Sequence, residues 1–162
     1  MKRKFIFYLL VFCLSFYGCV STNITSSDSL LSLEKNIVII YENDVHCNVD
    51  GYAKVSALKN ELIQENNYVA VISSGDYIQG SSLGAISQGE YIANLINLVD
   101  YDVLTLGNHE FDYKLSRLYE LTSIIESPIV CSNFINLKEN ELVFEPYKII
   151  SYEDFDIAFI GV

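Results

Sequence analysis

The sequence predicts an α/β fold with a mostly parallel sheet built from βαβ units, and three observations carry that expectation. Apolar, largely β-branched runs recur at residues 37–41, 68–72 and 103–106. A loop holding polar residues follows each run, and a stretch with apolar residues at helical spacing follows each loop. Strands that alternate with helices imply right-handed crossovers between parallel neighbours.

The elements follow in order. Residues 37–41, Ile-Val-Ile-Ile-Tyr, are continuously apolar, as expected of a strand buried on both faces. After a polar loop over residues 42–50, residues 51–65 place Val55, Leu58 and Leu62 on one helical face. Lys54, Lys59, Glu61 and Glu65 are then left for the outer face. The second unit is the run at 68–72, a Gly/Ser-rich loop over 73–89 and a helix over 90–99 carrying Ile92, Leu95, Ile96 and Val99. The third is the run at 103–106, a loop at Gly107 and a helix from about Asp112 with Leu115, Leu118, Leu121 and Ile125. Residues 129–131 read as a fourth strand. Residues 147–151 and 155–162 read as a hairpin turning at Glu153-Asp154, or as two strands of a continuing sheet.

Composition narrows the function. The chain has 162 residues, 51% hydrophobic and 13% aromatic, with 2 prolines and 8 glycines, which excludes a disordered or collagen-like chain. Its 21 acidic residues against 10 basic ones give a net charge of -11. That balance argues against a nucleic-acid polymer as partner, because phosphate backbones are bound by surplus Lys and Arg. If the protein handles phosphate, positive charge must come from elsewhere.

The N-terminus reads as an export signal over residues 1–19. Lys2, Arg3 and Lys4 precede an apolar stretch over residues 5–16, the length of a signal-peptide core and too short to span a membrane comfortably. It ends in Gly18-Cys19, a small residue before Cys, as at the cleavage site of bacterial lipoproteins. Cys19 would then carry the lipid and be the only link to a membrane; ordinary cleavage is the alternative, since Tyr17 is bulkier than that pattern prefers. Residues 20–35 read as a polar tether. Removing residues 1–18 leaves seven basic against 21 acidic residues, a net charge of -14, on a protein expected in the cell envelope, periplasmic or at the surface. Cys47 and Cys131 remain; their spacing matches no zinc motif, and two unconnected core thiols are expected.

Three strands run into loops with chemistry-bearing side chains: Asn43-Asp44-Val45-His46, then Gly75-Asp76, then Gly107-Asn108-His109-Glu110-Phe111-Asp112. In open α/β sheets ligands bind at the carboxyl ends of the strands, so the loops are expected to converge. Asp44 and His46, two apart in extended backbone, would leave the same face and reach one divalent ion of the Zn, Mn, Fe or Mg type. Asp76 could bridge two ions, as in sites that clamp both oxygens of a phosphoester. Asn108 would offer the second ion a neutral oxygen. His109 would point elsewhere and be free for substrate, with Asp112 orienting its ring and favouring its protonated form. Asp76 and Asp112 could also serve as helix N-caps. Glu110 is expected to point away from the metals, with no catalytic role. The loop over residues 80–84 lacks phosphate-cradle spacing, and none of the 12 tyrosines stands out as a base-stacking residue.

Together these residues, with Gln79-Gly80 after the second group, resemble the bacterial 5'-nucleotidase branch of the calcineurin-like metallophosphoesterases over about residues 37–162. The resemblance implies the first half of an αββα sandwich. It also implies two divalent ions (Zn, Mn or similar), the first bound by Asp44 and His46 and bridged by Asp76 to the second, which Asn108 holds. His109 and Asp112 would stabilise the transition state or the leaving group. The attacking group in that family is a metal-activated water, so no protein nucleophile is needed. Nucleoside monophosphates are the usual substrates, with cyclic nucleotides and nucleotide sugars hydrolysed by relatives.

The family also uses further histidine ligands and a separate nucleoside-holding domain, whereas both histidines here, His46 and His109, are already assigned. The chain is therefore expected to be an N-terminal part of a larger protein, through a truncated frame, an incompletely assigned gene or deliberate shortening. These residues alone are expected to bind metal weakly and to turn over nucleotide poorly. A non-catalytic envelope lipoprotein that keeps only the first half of the fold is the alternative.

Overall fold

The computed structural model describes residues 35–162; the export signal, Cys19 and nearly all of the tether lie outside the described residues. Three parallel strands in the order β1-β2-β3 form the main sheet: β1 (Ile37–Glu42), β2 (Tyr68–Ser73) and β3 (Val103–Leu104). The register runs from Ile37 opposite Tyr68 to Glu42 opposite Ser73, and then Ile72 opposite Val103. Helices α1 (Val49–Gln64), α2 (Ser82–Ser87) and α3 (Glu90–Val99) fill the crossovers, and α4 (Leu115–Ile124) follows β3. The expected βαβ pattern is present.

The core lies between β2, β3 and the helices. Val71, Leu104, Ile92, Ile96 and Leu121 are all buried there, as the 3.6-residue spacing requires. Residues Lys35 to Val162 form one compact unit, and among the described residues no helix is long and apolar enough to cross a membrane.

Several expectations are corrected. The first strand is not buried on both faces: Ile37, Ile39 and Tyr41 are 54%, 45% and 61% exposed, and their alternation with half-buried Val38 and Ile40 shows that one face of β1 is uncovered. In α1, Leu58 is exposed while Lys59 is only 8% exposed. Lys59 lies seven residues from Tyr52 and so shares its inward face. Its ammonium donates to the Asp100 carbonyl and to Asp100 Oδ2 at 3.1 Å, with Asp102 Oδ2 at 3.6 Å, so its charge is paired. The loop over 73–89 contains the short helix α2.

The third run pairs only over Val103–Leu104. Thr105 still donates to the Ser73 carbonyl at 3.0 Å, but the Gly107 N–H turns instead to a side chain in its own loop. The expected strand at 129–131 reduces to single bridges, Leu104 with Ile129 and Val130 with Glu145. A small hairpin that the sequence did not reveal, β4 (Ile135–Asn136) with β5 (Glu141–Leu142), follows. The final hairpin is as expected: β6 (Tyr147–Ser151) pairs antiparallel with β7 (Asp156–Ile160), and Tyr152 N–H bonds the Phe155 carbonyl across the turn at 2.9 Å. It lies against the main sheet, where Phe159 and Ile160 line a common cleft with Ile72, Val103 and Val130. Cys47 and Cys131 are buried and not joined.

Candidate metal centre

The loops after β1 and β2 remain zipped together beyond the ends of their strands. Asp44, His46 and Cys47 N–H groups donate to the carbonyls of Gly75, Asp76 and Tyr77 at 3.2, 3.0 and 3.2 Å. To do this the first loop abandons extended geometry: Asp44, His46 and Cys47 have φ of 62°, 43° and 58°, and Asp76 has φ of 59°. The expectation that Asp44 and His46 share a face of extended backbone is therefore wrong in its geometry. Left-handed backbone is costly for side chains other than Gly, although Asp and His tolerate it better than most, and such strain concentrates at functional sites.

The two side chains nevertheless meet. His46 Nε2 lies 2.6 Å from Asp44 Oδ1, while Nδ1 donates to the Gln79 carbonyl at 3.0 Å. That second bond fixes the ring and commits Nδ1 as the protonated nitrogen, the usual way in which an imidazole is set to offer Nε2. Gly80 makes room for this ring, because a Cβ there would strike the backbone and Cβ of His46.

Asp76 and the third loop are equally close. Asp76 Oδ1 accepts the His109 N–H at 2.8 Å, and the His46 and His109 rings stand edge to face with centroids 4.7 Å apart. Asn108 is exposed at the head of the short helical turn His109–Phe111. His109 Nδ1 is 2.7 Å from Asp112 Oδ2, leaving Nε2 unengaged by that carboxylate. Neither Asp is a helix N-cap: Ser81 stands at that position of α2, well past Asp76, and Lys114 at that of α4.

The residue that sequence reasoning missed is Glu110. It is 1% exposed, and its two oxygens accept four backbone N–H groups: Asp76 at 2.7 Å, Tyr77 at 2.8 Å, Ile78 at 3.3 Å and Gly107 at 2.6 Å. Burial pushes its carboxyl above the usual range, and the four bonds offset part of that rise. It does lie beneath the loops rather than among the candidate ligands. The available signal was a lone charged residue in a motif whose other polar members all had assignments.

A family model described as calcineurin-like phosphoesterase matches residues 37–158. The chain belongs to the calcineurin-like phosphoesterases. The chain is 31% identical over 108 residues to "Silent protein UshA(0)" of Salmonella typhimurium, covering 67% of the chain and 20% of that protein. It is 31% identical over 117 residues to a 2',3'-cyclic-nucleotide 2'-phosphodiesterase/3'-nucleotidase of the same organism, covering 67% and 18%. The solved NAD nucleotidase (NadN) of Haemophilus influenzae superposes with a TM-score of 0.67 at 27% identity, over 76% of this chain and 28% of that one. The chain thus spans about a fifth of the length of each of these two curated relatives.

Phosphoesterases of this family use divalent metals, and the donor chemistry here fits such an ion. With Nδ1 committed to Gln79, Nε2 and Asp44 Oδ1 are two acceptors 2.6 Å apart, an approach that requires a proton or a metal cation between them. The number of donors is short: among the described residues no three His, Cys, Asp or Glu side chains converge as a metal-holding group.

One prediction arises from the His109–Asp112 pair. The hydrogen bond to Asp112 holds the His109 ring above its ordinary value of 6.5, with the charges of Asp112, Asp76 and Glu110 adding and burial opposing. Because the folded value is the higher one, the stability this pair supplies is complete below pH 6.5 and is lost as pH rises through the raised folded value. Asp112→Asn is expected to lower the ring's NMR titration midpoint in the metal-free chain. An unchanged midpoint would show that the pair is not the cause.

Proposed function

We propose that the chain carries the metal-binding part of a phosphomonoesterase acting on nucleotides, with nucleoside monophosphates as the leading substrates, as in a 5'-nucleotidase. The observation that carries this reading is the facing Asp44–His46 pair, set beside Asp76 and the His109–Asp112 pair. Asp44 and His46 would hold a first divalent ion, Asp76 would bridge and Asn108 would complete a second site. Ions of the Zn or Mn type would supply the positive charge that an acidic chain cannot, and the acidity that makes water a nucleophile near neutral pH. His109, oriented by Asp112, would present Nε2 to the phosphate or the leaving oxygen and stabilise the charge that develops there.

The names of the relatives support nucleotides as the substrate class, and the cyclic-nucleotide relative keeps 2',3'-cyclic nucleotides, like nucleotide sugars, as alternatives. The sequence of residues 1–19 supports export to the envelope with a lipid on Cys19. Mass spectrometry of the mature N-terminal peptide separates a lipid-bearing Cys19 from ordinary cleavage.

A second reading, a non-catalytic envelope protein that keeps the fold, is favoured by the short donor set. Phosphate release from AMP by the purified full chain, with and without Mn²⁺, decides between them. Slow hydrolysis that requires the metal and is lost in Asp44→Asn is expected. No metal-dependent release from AMP or from 2',3'-cyclic nucleotides would leave the second reading standing.

A further inference from the structure

Glu110 accepts more hydrogen bonds than any other side chain near the candidate ligands, and all four come from backbone N–H groups. Oε2 accepts the N–H of Asp76 from the loop after β2 and the N–H of Gly107 from the loop after β3. Oε1 accepts the N–H groups of Tyr77 and Ile78, the next two residues of the loop after β2. Three successive N–H groups thus converge on one buried anion, a backbone nest whose occupant is supplied by the neighbouring loop. The two loops are tied in the other direction as well, because the His109 N–H, one residue before Glu110, binds Asp76 Oδ1 at 2.8 Å. Asp76 is therefore fixed at both ends, through its backbone by Glu110 and through its carboxylate by His109. Gly107 contributes by what it lacks, since a Cβ there would occupy the space of the Asp76 carboxylate.

We propose that Glu110 is a positioning residue: its carboxylate locks the loop bearing Asp76 to the loop bearing Asn108 and His109, and so sets the spacing at which these residues can share a divalent ion. This rests on the reading above that Asp76 and Asn108 bind metal. A neutral amide cannot replace the carboxylate, because four N–H groups need two acceptor oxygens and Gln offers one, with an NH₂ facing the remaining donors.

The test uses the purified full chain as wild type, Glu110→Gln, Glu110→Asp and Ile96→Val. The last is a control that lowers stability from a buried position in α3. Mn²⁺ binding is measured by EPR, and the His109 and Asp76 amide signals by ¹⁵N NMR without metal. Glu110→Gln is expected to weaken Mn²⁺ binding about 10–100-fold, the range for supporting partners of metal ligands, and to displace both amide signals. Glu110→Asp, which keeps the charge on a shorter stem, should recover part of the affinity, and Ile96→Val should bind like wild type.

Wild-type affinity in Glu110→Gln, or an equal loss in Ile96→Val, overturns the inference. Should Glu110→Gln not fold, Glu110→Asp decides: weakened binding with a displaced His109 signal supports the inference, and unchanged values overturn it. If wild type itself takes up no Mn²⁺, the metal reading fails. The amide signals then decide alone whether Glu110 holds Asp76 against His109.

Discussion

Gly75→Ala is expected to cost about 4 kcal/mol, the sum of left-handed strain and of overpacking against atoms that cannot retreat. Gly75 has φ of 98°, and a Cβ there would lie within the backbone of Leu106 and Gly107. Side chains can rotate away from such a clash, but this backbone cannot. The Gly107 N–H is held by Glu110, and its Cα faces the Asp76 carboxylate. Since a domain of this size has only about 5–15 kcal/mol of stability, the variant should keep about 1–11 kcal/mol and be marginally folded at the low end of that range. Gly51→Ala is the contrast: Gly51 lies within α1, and a Cβ there meets nothing within 4 Å. It should raise stability by about 0.5–1 kcal/mol through helix propensity. Urea midpoints measure both, and a Gly75→Ala midpoint matching wild type would refute the packing argument.

His46→Ala is expected to weaken divalent-ion binding by at least about 100-fold, more than loss of a supporting partner, because it removes a donor from a set already short of donors. The imidazole is prepared for the task by its bond to the Gln79 carbonyl and its 2.6 Å approach to Asp44. Isothermal titration with Mn²⁺ reads the affinity of wild type and variant. Equal affinity in His46→Ala would show that the ion, if bound, sits elsewhere.

Much of this was legible in the sequence because it depends on local periodicity and on strand ends. The helix over residues 90–99 was read with its limits, since Ile92, Ile96 and Val99 repeat at the spacing of one buried face. The two final strands are legible for a similar local reason, and of the two arrangements open to them the structure has the hairpin turning at Glu153-Asp154. Three loops at the ends of consecutive parallel strands had to lie on one edge of the sheet, which is why Asp44, His46, Asp76, His109 and Asp112 could be grouped in advance. What failed depends on neighbours distant in sequence. What packs on each face of an apolar strand is decided by elements distant in sequence, so the exposure of Ile39 and Tyr41 was hidden. Lys59 looked like a surface residue because its partners, Asp100 and Asp102, lie some forty residues away.

The same division holds at the site. Residue identity and strand order were enough to say which side chains are available and that the loops bearing them share one edge of the sheet: two carboxylates, an imidazole, an amide, and a second imidazole with its own carboxylate. Only the tertiary structure decided how they are held, because that depends on backbone N–H groups that have no residue identity. The left-handed turns at Asp44, His46 and Asp76 arise from hydrogen bonds between two loops. Glu110, with no assigned part in the motif, proves to be where four of those N–H groups end. A buried carboxylate must find donors, and which donors it finds is a property of the folded chain.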